Sequence, residues 1–223
     1  MIATAAMRFA RLDEWTVASL FKALASRLGG DAASLDEDAI LRLVEEARAG
    51  DRTAGQRLYR QHVDRVFRTM RGILHSEMDA EEVTQDAMLT VLTSLDRYTP
   101  RAGTRFAAWV MTIAVNTARR RFRRRRPEIT DPAELQRIPD DAADLERDAD
   151  SERTRAALLR ALAELDERDR EIVSLRYGSE LDATEIARAL ALEPANVRKI
   201  LERTRVRLGA RIELLLNPNG GTT

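Results

Sequence analysis

The stretch that decides the fold runs from residue 181 to residue 208 and reads LDATEIARALALEPANVRKILERTRVRL. Asp182 comes just before a short helical pattern and is followed three residues later by Glu185, the capping-box arrangement that starts a helix. A turn at 191–193 leads to Pro194. Proline is favoured at the first position of a helix, because a backbone N–H there would have no partner within the helix and its absence costs nothing. A short helix, a tight turn and a longer second helix form a helix-turn-helix.

Polar and basic side chains cluster at the start of that second helix. In a helix-turn-helix the second helix enters the major groove of DNA, and its first residues reach the base edges. The alternative interpretation is an ordinary helical hairpin with a solvated basic face. The clustering of donors favours DNA binding, with these candidate residues: Asn196, Arg198, Lys199 and Arg203.

The remainder of the chain is also expected to be helical. Ala, Leu, Arg and Glu dominate, and only 4% of residues are aromatic, a composition that favours helices over strands. The sequence predicts an all-α protein with two small helical domains joined by a flexible acidic linker, the second containing the helix-turn-helix. The expected segments are an N-terminal extension (1–34), a first domain (35–126), the linker (127–150), the second domain (151–216) and a tail (217–223).

The net charge of zero conceals charged blocks. Residues 35–126 hold 18 basic and 13 acidic residues, a net charge of +5, whereas 127–150 hold 2 basic and 9 acidic residues, a net charge of −7. Residues 119–126 contain seven arginines and no acidic residue. A helix with this charge density repels itself unless anions neutralise it, so the run indicates nucleic-acid binding.

Composition excludes several other classes of protein. The chain has no cysteine, so disulfides and thiolate metal sites are excluded, and no apolar window is long enough for a membrane span. The charged N-terminus is unlike a signal peptide, so we expect a cytoplasmic protein. Glycine-rich phosphate loops and nucleophile–base pairs are missing, so we expect neither an enzyme nor a cofactor. The rival is a carboxylate metal site in a helical bundle, formed by Asp79, Glu81, Glu82 and Asp86.

Three local features of the first 126 residues give further expectations. Asp79 is predicted to cap a helix, with Glu82 reaching back to it. Phe106 and Trp109 have helical spacing, so we expect them to pack in a core rather than to stack on bases. The N-terminal extension is expected to form a helix at about 12–28 whose apolar face packs on a domain or on a partner.

The motifs of the two domains, taken in order, resemble the sigma-70 family of bacterial transcription factors, and within it the short extracytoplasmic-function (ECF) group. The resemblance covers Asp38 to Arg126 and Thr154 to Arg211. The first part rests on DAEEVTQD (79–86), LDRY (95–98), Phe106, Trp109, Ile113, Ala114 and Asn116. The second part rests on Leu165, Arg170, Glu171, Leu175, Arg176, EIA (185–187), Val197, Leu201 and Arg205.

The resemblance implies a factor that binds core RNA polymerase and directs promoter recognition, DNA melting and transcription initiation. It also implies an anti-sigma factor as a partner. The acidic helix would dock on the clamp of the polymerase largest subunit through Asp79, Glu82, Gln85 and Asp86. The −10 promoter element would be held by Asn116, Arg119, Arg120 and Arg123. The second helix of the helix-turn-helix would read the −35 element through Asn196, Arg198, Lys199 and Arg203.

The linker length agrees with this interpretation. Fully extended, its 24 residues span roughly 80 Å at ~3.3 Å each, and two promoter elements two helical turns apart lie about 70 Å from each other. Two departures from the family pattern stand out: Arg120 replaces a residue that is often acidic, and Ala191 replaces a frequent turn glycine. The alternatives are an adaptor that mimics a sigma factor to bind an anti-sigma factor, and a helix-turn-helix repressor.

Overall fold

A computed structural model of the chain describes Phe21 and residues 35–74, 76–125 and 147–217. Within these ranges the secondary structure is helical, apart from one isolated bridge between Arg101 and Thr104, so the all-α prediction is confirmed. The helix predicted at 12–28 lies outside the described residues except for Phe21, which is helical. The predicted linker and tail also lie outside them, except at 147–150 and at residue 217. Residues 147–150, which the sequence analysis places in the linker, are helical.

The first unit consists of four α-helices and one 3-10 turn. Asp36, Asp51 and Ser76 start the first three helices, because each side chain accepts a hydrogen bond from a backbone N–H of the first turn. The elements are α1 (Glu37–Arg48), α2 (Arg52–Ile73), α3 (Glu77–Thr93), the 3-10 turn (Leu95–Arg97) and α4 (Phe106–Arg125).

The start of α3 corrects one prediction. The Ser76 side chain accepts the Asp79 N–H at 3.2 Å, so Ser76 is the N-cap and Asp79 lies inside the helix. The expected capping box of Asp79 with Glu82 is therefore wrong. A serine is as good a cap as an aspartate, and the sequence pattern alone did not distinguish the two positions.

The second unit contains the predicted helix-turn-helix. It consists of α5 (Arg147–Ala163), α6 (Glu167–Gly178), α7 (Ala183–Leu190) and α8 (Pro194–Leu216). The Asp182 side chain accepts the backbone N–H of Glu185 at 2.8 Å, and the Glu185 side chain accepts that of Asp182 at 3.0 Å. The predicted capping box of α7 is thus confirmed, as is Pro194 at the start of α8.

The turn between α7 and α8 holds an alanine in a left-handed conformation. Ala191 has φ 56° and ψ 51°, and its N–H and that of Leu192 close the end of α7 on the carbonyls of Arg188 and Ala187. This conformation raises the free energy of a residue with a Cβ by about 1 kcal/mol or more, whereas glycine adopts it without this cost.

Replacing Ala191 with glycine is expected to stabilise the fold. The free energy of unfolding should rise by about 1 kcal/mol from the relief of strain. The greater conformational entropy of glycine in the unfolded chain offsets part of this gain. Urea unfolding followed by circular dichroism measures it. Ala189→Gly is the matched control, because Ala189 lies inside α7 and the same substitution there should destabilise by about 1 kcal/mol. Two changes of the same sign would contradict the explanation.

The two units pack directly on each other. Helix α2 lies against α6, and α4 lies against α7. One hydrophobic cluster runs through both units, and a second cluster lies within the second unit together with Phe21. The buried members of the shared cluster include Leu58, Val66, Met70, Phe106 and Val110 of the first unit, and Ile172, Leu175, Leu181, Ile186 and Val197 of the second. The sequence predicted two domains and gave no sign of this contact.

Candidate polymerase and DNA interfaces

One face of α3 exposes both carboxylates and large apolar side chains. Gln85 and Asp86 are exposed, which a docking surface requires. Met78 and Leu89 share this face at helical spacing and are 62% and 64% exposed, although large apolar side chains are usually buried. At ~1.5 Å per residue Met78 and Leu89 lie about 16 Å apart, so they flank the exposed polar residues of this face at both ends.

The other two predicted polymerase-binding residues already have a partner inside the chain. Asp79 is buried, and its carboxylate lies 3.6 Å from Nε of Arg121 on α4. Glu82 is half-exposed and forms an ion pair with the same guanidinium. The arginine run contains no acidic residue of its own, but tertiary packing brings carboxylates from α3 to Arg121.

The loop before α4 is held by two half-buried charged side chains. Arg48 of α1 donates hydrogen bonds to the carbonyl of Leu95 at 2.7 and 3.0 Å, and also to that of Tyr98. Glu37 accepts the backbone N–H of Phe106 at 2.5 Å and so caps α4. These contacts fix the loop between the 3-10 turn and α4, which is the segment expected to meet the −10 element.

The predicted −10 residues are all on α4, but they differ in accessibility. Asn116 and Arg120 are exposed and lie four residues apart, hence on one face. Arg119 donates to both carboxylate oxygens of Glu171 on α6, at 3.0 and 2.6 Å. The side chain of Arg123 lies outside the described part of the chain.

Arg105 of the loop forms a second pair of this kind, which the sequence analysis did not single out. Its guanidinium donates to both oxygens of Glu185 on α7, at 3.0 and 2.6 Å, and its backbone N–H donates to the same carboxylate at 3.2 Å. Hydrogen bonding to Glu185 raises the pKa of Arg105. Burial alone would raise the pKa of Glu185, but hydrogen bonds from Arg105 and from backbone N–H groups lower it overall.

Aromatic side chains of α4 pack against Tyr98 of the loop. The ring centroid of Phe106 lies 4.9 Å from that of Tyr98 and 5.4 Å from that of Trp109. Phe106 is fully buried, so the prediction that it packs in the core is confirmed. His62 of α2 completes the group, 5.2 Å from Phe106, and neither of its ring nitrogens has a hydrogen-bond partner.

The buried His62 predicts a pH dependence of stability. Burial first, and then the positive charge of Arg65, lower its pKa from 6.5 to about 3. Between these values the unfolded chain takes up a proton and the folded chain does not, so stability falls as the pH falls below about 6.5. We expect the wild type to lose roughly 1 kcal/mol more than His62→Leu between pH 6 and pH 5 in urea unfolding. Equal losses in the two proteins would show that His62 is protonated in the folded state.

The start of α8 presents the predicted −35 residues to solvent. Asn196, Arg198 and Lys199 are all exposed in its first two turns. The positive end of the helix dipole adds to their charge, which suits a polyanion. Val197, between them, is fully buried and fixes the rotation of the helix.

The fourth predicted −35 residue has a structural contact as well. Arg203 donates to Asp169 of α6 at 2.8 Å, although its side chain is 59% exposed. Thr204 donates to the other carboxylate oxygen at 3.1 Å, and Arg207 lies 3.5 Å from it. Asp169 is only 1% exposed, so it anchors α8 on α6 and holds the guanidinium of Arg203 at the surface.

Comparison with known proteins agrees with this arrangement. The sigma-70 region 2 family model matches residues 58–128, and the sigma-70 region 4 family model matches residues 155–208. The chain is 34% identical over 188 residues to the ECF RNA polymerase sigma factor BldN of Streptomyces coelicolor, covering 81% of this chain and 68% of that protein. The chain belongs to the ECF group of the sigma-70 family.

Further relatives and a solved structure extend the match. This sigma factor is 30% identical over 161 residues to the ECF RNA polymerase sigma factor SigM of Mycobacterium tuberculosis, covering 72% of this chain and 78% of that protein. A structure of CnrH in complex with the cytosolic domain of CnrY matches with a TM-score of 0.53 and 25% identity, covering 80% of this chain and 97% of that chain.

The residues that the sequence analysis missed in this sigma factor are mainly arginines and their acceptors. Arg48, Arg105 and Glu171 orient or cover the predicted surfaces, and Glu171 had been noted only as part of the family resemblance. Sequence spacing gives no signal for such contacts, because the partners are between 47 and 80 positions apart. Within the described ranges there is no cluster of residues suited to a metal ion, and no helix is long and apolar enough to cross a membrane.

Proposed function

We propose that this sigma factor binds core RNA polymerase through α3 and directs promoter recognition, DNA melting and initiation through α4 and α8. It acts in the cytoplasm by contacts alone and performs no chemistry. The observation that carries the proposal is the separation of three surfaces of different chemistry. The acidic and apolar face of α3, the basic helix α4 with its anchored loop, and the exposed start of α8 lie on different helices of one chain.

The α3 face suits a protein partner. Met78 and Leu89 supply apolar surface that becomes buried on docking, and Gln85 and Asp86 supply polar contacts between them. Exposed carboxylates complement basic residues on a partner and exclude DNA from this face. Glu82 would join them once it is released from Arg121.

The α4 surface suits the melted −10 element. Asn116 has an amide that can accept and donate hydrogen bonds to the edge of an unpaired base. Arg119, Arg120 and Arg105 supply charges for the backbone phosphates, to which Arg123 is expected to add another. Single-stranded DNA exposes base edges and phosphates together, so one helix and one loop are enough to hold it.

The α8 surface suits duplex DNA at the −35 element. A recognition helix enters the major groove by its N-terminal residues, and Asn196, Arg198 and Lys199 occupy these positions. An arginine that donates two hydrogen bonds reads guanine, and an asparagine reads adenine. Arg203, fixed on Asp169, would contact a phosphate at the edge of the groove.

A protein that inhibits sigma factors is the further partner that we propose. The structurally similar CnrH was solved with the cytosolic domain of CnrY, and that complex supports an equivalent anti-sigma partner here. A candidate partner is tested by gel filtration, in which it should displace core polymerase from the chain. A candidate that binds without displacing core polymerase would not be an anti-sigma factor.

Titration of core RNA polymerase with the fluorescently labelled chain tests the proposal. We expect saturable binding that Asp86→Arg weakens at least tenfold, because a cation replaces an exposed carboxylate at the centre of the docking face. Glu46→Arg, an equal charge change at an exposed position of α1, is the control and should leave binding unchanged. A chain that does not bind core polymerase would be a repressor or an adaptor, and the proposal would be wrong.

A further inference from the structure

Two glycines lie where the helices of the two units touch most closely. A Cβ on Gly72 of α2 would lie 2.5 Å from Oγ of Ser174 on α6, and one on Gly178 of α6 would lie 3.0 Å from Cα of Thr69 on α2. Neither glycine has a positive φ, so neither is required by its backbone conformation. Glycine weakens a helix relative to alanine, so its presence at both points matches a close contact between α2 and α6. We call this contact the seam.

The seam places carboxylates of the second unit on arginines of the −10 surface. Glu171 is 5% exposed and binds Arg119, and Glu185 is 2% exposed and binds Arg105. In both pairs two carboxylate oxygens accept from two guanidinium nitrogens, the geometry with which arginine also binds a phosphate. The two carboxylates therefore use the guanidinium N–H groups of Arg105 and Arg119 that a phosphate would need.

Further polar contacts run along the edges of the seam. Arg155 of α5 lies 3.4 Å from the carboxylate of Glu77 on α3, and Arg65 of α2 lies 3.8 Å from that of Glu180. Arg105 also donates to the carbonyl of Glu180 at 2.8 Å. Further ion pairs and a hydrogen bond thus connect the two units, and two of these three arginines come from the first unit.

Phe21 of the N-terminal segment fills the seam. Its side chain is fully buried, and its ring stacks on that of Tyr177 of α6 with centroids 6.0 Å apart. The same ring contacts α2, because a Cβ on Gly72 would lie 2.9 Å from its Cε1 atom. Phe21 therefore touches both units, and its burial favours their contact.

The start of α8 is not covered by the seam. Asn196, Arg198 and Lys199 are exposed while Arg105 and Arg119 are paired. The closed arrangement consequently affects the two DNA surfaces unequally. Two arginines of the −10 surface, Arg105 and Arg119, are occupied by carboxylates of the second unit, whereas the exposed residues at the start of α8 have no such contact with the first unit.

We propose that the free sigma factor inhibits itself by closing its two units on each other, with Glu171 and Glu185 replacing DNA phosphates on the −10 surface and Phe21 filling the seam. This inference rests on the proposed function, since it concerns the surfaces that function uses. Binding of −10 DNA must displace the two carboxylates, whereas binding of −35 DNA need not. Self-inhibition by this closure needs no second protein.

The first test is a charge reversal in the seam. The chain has no cysteine, so dyes attached through Gln56→Cys and Ala210→Cys, both exposed, report the distance between the units by energy transfer. Glu171→Arg is expected to lower the transfer and to raise the affinity for single-stranded −10 DNA at least fivefold, with unchanged affinity for duplex −35 DNA. Glu167→Arg, the same charge change at an exposed position of α6, controls for added charge and should alter neither reading.

A charge swap and a truncation complete the test. Arg119→Glu combined with Glu171→Arg should restore the energy transfer, because the pair is rebuilt with its charges exchanged. Phe21→Ala should lower the transfer and raise the affinity for single-stranded −10 DNA about threefold or more, by loss of apolar burial. Equal effects of Glu171→Arg and Glu167→Arg, or a swap that does not restore the transfer, would overturn the inference.

The energy transfer needs no polymerase, so the inference and the proposed function can fail separately. If Glu171→Arg lowers the energy transfer but the chain does not bind core polymerase, self-inhibition is supported and the sigma function is contradicted. Core binding by a chain whose energy transfer does not respond to Glu171→Arg would support the sigma function and contradict self-inhibition.

Discussion

Replacing Arg198 with alanine is expected to weaken binding to duplex DNA carrying the −35 element by about 1–3 kcal/mol, or roughly 5- to 150-fold. Arg198 is exposed in the first turns of α8, where a recognition helix meets the base edges. Removal of an arginine that contacts a base discards both charge and specificity, so the loss should be larger for the −35 sequence than for unrelated DNA. Fluorescence anisotropy at a fixed salt concentration measures both affinities.

Arg211→Ala is the matched control for this prediction. Arg211 carries the same charge on the same helix but lies 13 positions further along and pairs with Glu164 of the second unit. At ~1.5 Å per residue it is about 20 Å from Arg198, beyond the Debye length at physiological salt. We expect its removal to leave −35 affinity unchanged within twofold. Equal losses for the two variants would mean that α8 binds DNA only through its overall charge.

Asp169→Ala is expected to give the largest loss of stability, about 2–3 kcal/mol. The Asp169 carboxylate is buried and accepts hydrogen bonds from Arg203 and Thr204, with Arg207 nearby. Its removal leaves the buried Thr204 hydroxyl and two cations without their acceptor. Since both arginines are more than half exposed, water replaces part of the lost interaction, and we place the expected value at the lower end for a buried ion pair.

Glu164→Ala controls for the loss of an acidic residue that pairs with α8. Glu164 and Arg211 are both about half exposed, so solvent screens their attraction and the free energy of unfolding should be nearly unchanged. Urea unfolding measures both variants. Asp169→Ala should also lower −35 affinity, because α8 loses its contact with α6. If Asp169→Ala has the same free energy of unfolding as Glu164→Ala, Asp169 does not anchor the helix.

The helices could be predicted from the sequence because their signals are local. Asp182, Glu185 and Pro194 fix the helix-turn-helix within a few residues, and the structure places them as expected. The start of α3 was misplaced by three residues because Ser76 and Asp79 are both good caps. The sequence showed only that Ala191 replaces a frequent turn glycine, because propensity disfavours alanine in the left-handed conformation that this turn requires.

The contact between the two units could not be predicted from the sequence, because it joins residues far apart in the chain. Arg119 and Glu171 are 52 positions apart, and Arg105 and Glu185 are 80 apart. Each looks like an ordinary surface charge in its own helix. The arginine run was interpreted as a nucleic-acid binding site, and in this structure Arg119 and Arg121 pair with carboxylates of the same chain.

Run-off transcription tests the central claim of a promoter-directing sigma factor most directly. Purified core RNA polymerase is incubated with genomic promoter fragments from the host bacterium, with and without the chain. We expect transcripts of defined length only when core and chain are both present, and their loss when either the −10 or the −35 sequence of the fragment is replaced. A chain that binds core polymerase but yields no defined transcript from any fragment would contradict the claim.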